Sequence, residues 1–157
     1  MNIQIARLKK LLGTKSYKEV DIKFNNKLLL FESTNDLVLP PDLAEYFKLL
    51  NNTADKIDAN LYEFYTVDQF KSIKNGLASW RGVPDYGNIV NTLEGYENCF
   101  VFADYLFHLF TYAIRLNQHS AGVNEIYVIC GDKYKIIARS FSDFLDLYFN
   151  DSPELSL

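Results

Sequence analysis

Residues Ile126 to Phe149 read IYVICGDKYKIIARSFSDFLDLYF, and this stretch decides the fold class. Ile126 to Cys130 and Tyr134 to Ala138 are runs typical of strands, and Gly131-Asp132-Lys133 between them is typical of a hairpin turn. Ser140 then precedes apolar residues at helical spacing, which predicts a capped amphipathic helix. A hairpin followed by a helix that packs on it indicates an α+β domain.

Further strands are predicted upstream of this stretch. Cys99 to Ala103, Phe107 to Leu116 and Asn60 to Tyr65 are rich in aromatic and branched residues. A short hairpin is predicted earlier, where Val20, Ile22 and Phe24 alternate with charged residues and Leu28 to Phe31 follows a turn at Asn25-Asn26. We therefore expect a twisted, mainly antiparallel sheet of about five or six strands flanked by helices.

Three more helices are predicted in the first half of the chain. Residues 1–12 carry apolar side chains at three-to-four spacing and end at Gly13. Leu39-Pro40-Pro41-Asp42 opens a second helix that Asn51-Asn52 stops, because proline suits the first helical position. Thr66 to Gln69 is a capping-box pattern that predicts a third helix, through about Ala78. The tail, residues 150–157, is expected to fray.

Length and composition indicate one globular domain over residues 1–157. The chain is 48% hydrophobic and 23% charged, and no apolar run approaches the roughly 18 residues of a membrane span. The N-terminus lacks the continuous apolar centre of a signal peptide. Cys99 and Cys130 lie in apolar runs, which is typical of buried, reduced cysteines. We expect a soluble, cytoplasmic protein.

The charge of the chain is unevenly distributed. The net charge is −4, but residues 1–27 carry seven Lys or Arg against two acids, so the remainder carries −9. No Lys or Arg lies between Arg81 and Arg115, an interval that contains four acids. The segment from Trp80 to Asn98 also lacks any clean period and exceeds the usual loop length of about 12–15 residues. Such segments are usually functional or mobile.

The ordered pattern of helices and strands resembles the SUKH superfamily. Three segments carry the resemblance: Leu39 to Asn52, with its proline helix start; Leu61 to Phe70, a strand followed by a helix start; and Ile137 to Leu145, a C-terminal signature. The superfamily includes a fungal regulator of cell-wall glucan synthesis and many bacterial immunity proteins. The resemblance implies an α+β fold and a protein-binding module, often one that neutralises a toxin such as a nuclease.

The chain offers little catalytic or cofactor chemistry. His108 and His119 lie apart and the cysteines form no CxxC pair, so we expect no metal site, and no phosphate-binding loop motif is present. We expect no cofactor and no enzyme activity. A hydrolase that uses paired carboxylates remains as a lesser alternative, because such a pair needs a geometry that sequence cannot supply.

The irregular acidic segment from Trp80 to Asp104 is the predicted partner-binding region. Its acids would meet a basic protein, and its aromatic residues are of the types that anchor interfaces. The candidate residues are Trp80, Asp85, Tyr86, Glu94, Tyr96, Glu97 and Asp104. We expect a protein partner, such as a basic toxin, rather than nucleic acid or membrane; a solvated loop is the plainer interpretation. An immunity protein and a regulatory or scaffold protein of the cell-wall type both fit, and the oligomeric state stays open.

Overall fold

The computed structural model describes residues 2–12, 22–50, 57–119 and 122–157, which form an α+β fold. The helices are α1 (Ile3–Leu12), α2 (Ile22–Asn35), α3 (Pro41–Leu50), α4 (Ile73–Gly76), α5 (Ile89–Thr92) and α6 (Phe141–Phe149). The strands are β1 (Tyr62–Phe64), β2 (Lys71–Ser72), β3 (Cys99–Tyr105), β4 (Phe110–Arg115), β5 (Ile126–Cys130) and β6 (Lys133–Ala138). Two short 3-10 turns, Tyr96–Asn98 and Pro153–Leu155, complete the described structure.

The six strands form one open antiparallel sheet, as the sequence predicted. Strands β3, β4, β5 and β6 follow one another as neighbours, and β1 and β2 both pair with the remaining edge of β3. Tyr62 in β1 lies opposite Tyr105, while Lys71 in β2 lies opposite Val101. The chain therefore uses two short strands to cover one long one.

Alternate residues of the strands point to opposite faces of the sheet, and each face has its own core. Phe102 and Tyr112 face the helices, where Phe102 contacts Phe141 and Phe144 with ring centroids 5.3 and 4.9 Å apart. We call this side the helical face, and α1, α3 and α6 pack together over it. The opposite side, which we call the loop face, includes Val101, Ala113, Tyr127 and Ile129.

The first, second and last predicted helices are confirmed. The Ser140 hydroxyl accepts a hydrogen bond from the Asp143 amide at 3.0 Å, which caps α6. The Asp42 carboxylate, in the first turn of α3, accepts hydrogen bonds from the amide and hydroxyl of Ser142, both at 2.9 Å. This contact ties α3 to α6. The predicted stops at Gly13 and at Asn51-Asn52 lie outside the described residues.

The predicted N-terminal hairpin is wrong, because Ile22–Asn35 is the helix α2; Val20 lies outside the described residues. Only three apolar residues, Val20, Ile22 and Phe24, alternated with charged ones. Phe24, Leu28 and Phe31 recur at a spacing that also suits one face of a helix. Phe24 and Leu28 are buried, and the Phe31 ring lies 5.1 Å from that of Phe100. Burial against the sheet decides the conformation of this segment.

The predicted third helix over 66–78 is also wrong, apart from its last turn. The Gln69 side chain does accept a hydrogen bond from the Thr66 amide at 2.9 Å, but this closes a turn. Phe70 is then buried against the Phe47 ring, 4.8 Å away, and Lys71–Ser72 pairs with β3. Sheet pairing thus replaces the helix until Ser72 caps α4.

The C-terminal tail is ordered where we expected fraying. Pro153–Leu155 forms a 3-10 turn, Leu155 is buried, and its carbonyl accepts a hydrogen bond from the Tyr112 hydroxyl at 2.9 Å. The hydroxyl of a buried tyrosine therefore holds the tail against the sheet. Among the helices of the described residues, none has the length and apolar character needed to cross a membrane.

Candidate functional site

Residues 73–98 form a second layer over the loop face, and we call them the covering segment. Ile73, Leu77, Tyr86, Ile89 and Leu93 are buried in one cluster with the loop-face residues of the strands. The apolar side chains are spaced irregularly because α4, α5 and the Tyr96–Asn98 turn are each about one turn long. The segment predicted as an irregular loop is thus a packed layer with one side exposed.

Tyr86, predicted as an interface anchor, is fully buried. Its hydroxyl donates a hydrogen bond to the carbonyl of His108 at 2.6 Å, and burial raises the pKa of this hydroxyl. A side chain without exposed surface cannot contact a partner. Tyr86 therefore fastens the covering segment to the turn between β3 and β4.

Asp104, predicted on the acidic surface, is also buried, with only 2% of its surface exposed. Its Oδ2 accepts a hydrogen bond from the Tyr65 hydroxyl at 2.6 Å and lies 3.6 Å from Nδ1 of His108. Its Oδ1 accepts the backbone N–H of His108 at 3.3 Å. Burial together with the neighbouring carboxylate raises the pKa of Tyr65, so its hydroxyl remains a donor. Asp104 therefore stabilises the β3–β4 turn through its hydrogen bond with the His108 amide.

Asp85, Glu94 and Glu97 are exposed, and their carboxylates form what we call the acidic surface. Asp85 lies by the β5–β6 turn, since a Cβ on Gly131 would sit 3.3 Å from the Asp85 carbonyl oxygen. Glu94 lies near the start of β3, where its carbonyl accepts a hydrogen bond from Nη2 of Arg115 at 2.6 Å. Between them, Thr92 donates a hydrogen bond to the Asp132 carbonyl at 2.7 Å, which also holds this part of the covering segment against the β5–β6 turn.

Arg115 shapes the end of the acidic surface that contains Glu94 and Glu97. Its Nη1 donates to the carbonyl of Gly95 at 3.0 Å, and its Nε lies 3.5 Å from the Glu125 carboxylate. Gly95 has a φ of 69°, and a Cβ there would lie 2.1 Å from the guanidinium. Because Arg115 contacts backbone carbonyls and Glu125, it forms no direct ion pair with Glu94 or Glu97, and neither carboxylate has another ion-pair partner among the described residues.

Trp80 and Tyr96 are half-buried. The Trp80 ring stacks on the His108 ring at 5.0 Å with an interplanar angle of 5°, and its edge meets Tyr86 at 5.8 Å. Gly82 also lies against this indole, since a Cβ there would come within 2.3 Å of a ring atom. Trp80 thus supports the turn between β3 and β4 and leaves only part of its ring for a partner.

The β3–β4 turn holds an apolar group that sequence analysis missed. The predicted strand over 107–116 begins only at Phe110, and Leu106, Phe107 and His108 have φ values of 48°, 51° and 71°. Phe107 is 67% exposed, and Leu106 and Leu109 are also exposed. The carbonyl of Leu61, on the neighbouring loop, accepts a hydrogen bond from the Leu106 amide at 2.9 Å. We call Leu61, Leu106, Phe107 and Leu109 the apolar tip. The sequence signal that could have indicated it is an exceptionally apolar turn without glycine or asparagine.

A separate cleft of about 600 Å³ lies between α1 and the end of α6. Arg7 and Lys10 line it together with Tyr62, Phe149 and Asp151, and the Arg7 guanidinium lies 4.5 Å from the centre of the Phe149 ring. The cations are offset by Asp151 and by the negative end of the α6 dipole. This cleft contains none of the predicted site residues.

The reactive groups considered from the sequence are dispersed. Within the described ranges, no three His, Cys, Asp or Glu side chains are placed to hold a metal ion. Burial raises the pKa of the Cys99 thiol to about 11, which is the reverse of nucleophile activation. Of the carboxylates in the hydrolase alternative, Asp104 is buried, while Asp85, Glu94 and Glu97 are exposed.

Comparison with known protein families places most of the described chain in a match. A family model described as SMI1 / KNR4 family (SUKH-1) matches residues 25–147. The match includes α2 from its fourth residue, the whole sheet, the covering segment and most of α6. The chain has no match among curated proteins or among solved structures.

Proposed function

The chain belongs to the SMI1/KNR4 family (SUKH-1), and from that premise we propose that it is a non-catalytic module that binds another protein. In its specific form, the proposal is a cytoplasmic immunity protein that binds a cognate toxin and blocks it. No cofactor is needed for this role. Two features support the proposal. The single sheet is covered on both faces, and exposed acids lie on the outer side of the covering segment.

The acidic surface is the observation that carries the proposal. No Lys or Arg lies between residues 81 and 115, and Arg115 is occupied by the carbonyls of Glu94 and Gly95 and by Glu125. Exposed acids without an ion-pair partner among the described residues accelerate association with a basic partner and disfavour nucleic acid and anionic lipid. A toxin that grips phosphate with a basic cleft, such as a nuclease, has the complementary charge.

The size of the surface also suits a protein partner. A standard interface covers about 800 Å² on each side, which is roughly 30 Å across. An interface of this diameter can cover all three exposed acids, which lie within residues 85–97. A metal ion or a small metabolite would contact only part of them.

The test is reversal of charge at one end of the surface. The chain is immobilised, the protein it captures from source cells is identified and purified, and its affinity is measured by calorimetry. We expect the double variant Glu94→Lys/Glu97→Lys to bind at least about tenfold more weakly, with an unchanged urea unfolding midpoint.

The matched control is Asp68→Lys/Glu154→Lys, which changes the net charge by the same amount. Asp68 and Glu154 are exposed partners of Lys27 and Lys135, and such surface pairs add little stability. We expect the control to bind as the wild type does. Equal affinities for both double variants would remove the acidic surface from the binding site.

The regulatory alternative uses the same surface with a different partner. A toxin gene beside the gene for this chain favours immunity, and its absence favours a regulatory or scaffold role of the cell-wall type. Co-expression separates the two directly: an immunity protein restores growth to cells that express the captured protein. If the captured protein is harmless to cells, the immunity form of the proposal is wrong.

A further inference from the structure

We infer that the apolar tip is the anchor of the partner interface and inserts into an apolar pocket of the bound protein, a pocket bordered by Lys or Arg. The inference rests on the proposed function. It attributes much of the affinity for the protein partner to residues outside the predicted site. The tip consists of Leu61, Leu106, Phe107 and Leu109, which lie together at the end of β3.

The backbone of the tip is strained. Leu106, Phe107 and His108 all have positive φ, and Leu61 beside them has a φ of 70°. Leucine and phenylalanine rarely adopt this conformation, because the side chain crowds the following carbonyl. Such strain persists where surrounding structure enforces it, and it concentrates at functional sites. A plain connection between β3 and β4 would use glycine or asparagine here.

A buried network enforces the conformation. The Asp104 carboxylate accepts one hydrogen bond from the His108 amide and another from the Tyr65 hydroxyl. The Tyr86 hydroxyl donates to the His108 carbonyl, and the Trp80 ring stacks on the His108 ring. Both backbone polar groups of His108 are therefore hydrogen-bonded, which holds the backbone of the turn next to the exposed Phe107.

The exposed part of the tip is apolar and projects from the sheet. Phe107 is 67% exposed, Leu61 40%, Leu106 37% and Leu109 36%. Aromatic residues become hot spots when a partner encloses them, and a backbone that is already held in place loses less entropy on binding. The tip is therefore suited to a pocket, while the exposed acids are suited to a polar rim.

Charge identifies the kind of pocket. Three of the four tip residues lie in the interval without Lys or Arg, and Asp85 is on the covering segment that Tyr86 joins to this turn. A basic border on the pocket would complement them. A second copy of the chain would bring like charges together.

The test separates binding from folding by relieving the strain. Asparagine tolerates positive φ, so Phe107→Asn removes the anchor and should leave the melting temperature unchanged or raised. We expect the affinity for the captured and purified protein to fall at least about tenfold. The control is Leu30→Gln on α2, where Leu30 is 65% exposed in a regular helix; it should bind as the wild type does.

A direct contact is tested with p-benzoylphenylalanine, incorporated in place of Phe107 or of Leu30. Irradiation of the complex should cross-link only the chain labelled at 107, to a partner peptide that contains apolar and basic residues. If Phe107→Asn binds normally while Glu94→Lys/Glu97→Lys does not, this inference is wrong and the proposed function stands. If the chain has no saturable protein partner, both are wrong.

Two other occupants are checked with the same variant. Vesicles of phosphatidylcholine with phosphatidylglycerol test a lipid surface by co-sedimentation, and sedimentation equilibrium tests self-association. Wild-type binding to vesicles, or a dimer, that Phe107→Asn abolishes would overturn the assignment to a partner's pocket. We expect neither.

Discussion

Cys99 and Cys130 are alike in sequence context and different in accessibility. Cys99 opens β3 beneath the covering segment and is fully buried, as predicted, whereas Cys130 ends β5 and is partly exposed. Burial raises the pKa of the Cys99 thiol to about 11. At neutral pH this thiol is therefore both shielded and protonated.

We predict selective alkylation of the two thiols. In native protein at pH 8, iodoacetamide should modify Cys130 and spare Cys99, because alkylation requires an accessible thiolate. In urea both should react at similar rates. Peptide mass spectrometry measures the two rates, and equal native rates would show that the covering segment opens readily over the start of β3.

Tyr86 and Asp104 show how residue type misleads about role. Both belong to types favoured at interfaces or acidic surfaces, yet each is buried and bonded to the backbone of His108. Their neighbours Asp85 and Tyr105 have more exposed surface. Exposure alternates along a strand or a short turn, so a residue's role depends on register as much as on chemistry.

At the scale of elements, α6 follows its local signals. The Ser140 cap, the acidic residue in its first turn and the apolar spacing all favour the same helix. In α2 and residues 66–72, by contrast, short local patterns were outweighed by burial of Phe24, Leu28 and Phe70. Elements in which the cap and the apolar spacing agree are therefore predictable here, whereas the 14-residue helix α2 was missed because its local signals did not agree.

We predict that Ser140→Ala lowers the free energy of unfolding by about 1 kcal/mol, because the Asp143 amide at the start of α6 loses its acceptor. The control is Ser156→Ala, at an exposed serine beyond the last 3-10 turn, which should change stability by less than about 0.5 kcal/mol. Urea denaturation measures both. Equal effects of the two substitutions would mean that the α6 cap adds nothing to the fold.

At the scale of the whole molecule, the core is unusually rich in tyrosine. Tyr46, Tyr65, Tyr112 and Tyr148 have raised pKa values, in each case chiefly through burial. Their hydroxyls donate hydrogen bonds that join the helices, the tail and the sheet. Each hydroxyl needs its proton to do so.

We predict that alkaline pH destabilises the fold. Unfolded tyrosine loses its proton near pH 10, while these folded tyrosines retain theirs, so the stability is fully present below about pH 10 and is lost as the pH rises further. The urea midpoint should be level from pH 7 to 9 and fall above 10. Absorbance at 295 nm should show that only some of the eleven tyrosines titrate in folded protein at pH 10.5; titration of all eleven would contradict buried hydroxyls.

The sequence by itself determined the α+β class, the four long strands, the helices α1, α3 and α6 and the acidic interval between Arg81 and Arg115. These depend on hydrophobic period, capping and charge, which are properties of neighbouring residues. Only the tertiary structure decided that Ile22–Asn35 is helical, that Tyr86 and Asp104 face inward, and that Phe107 projects from a strained turn. Those outcomes depend on contacts between residues distant in the chain, such as the bond from Tyr86 to His108, and no local pattern contains them.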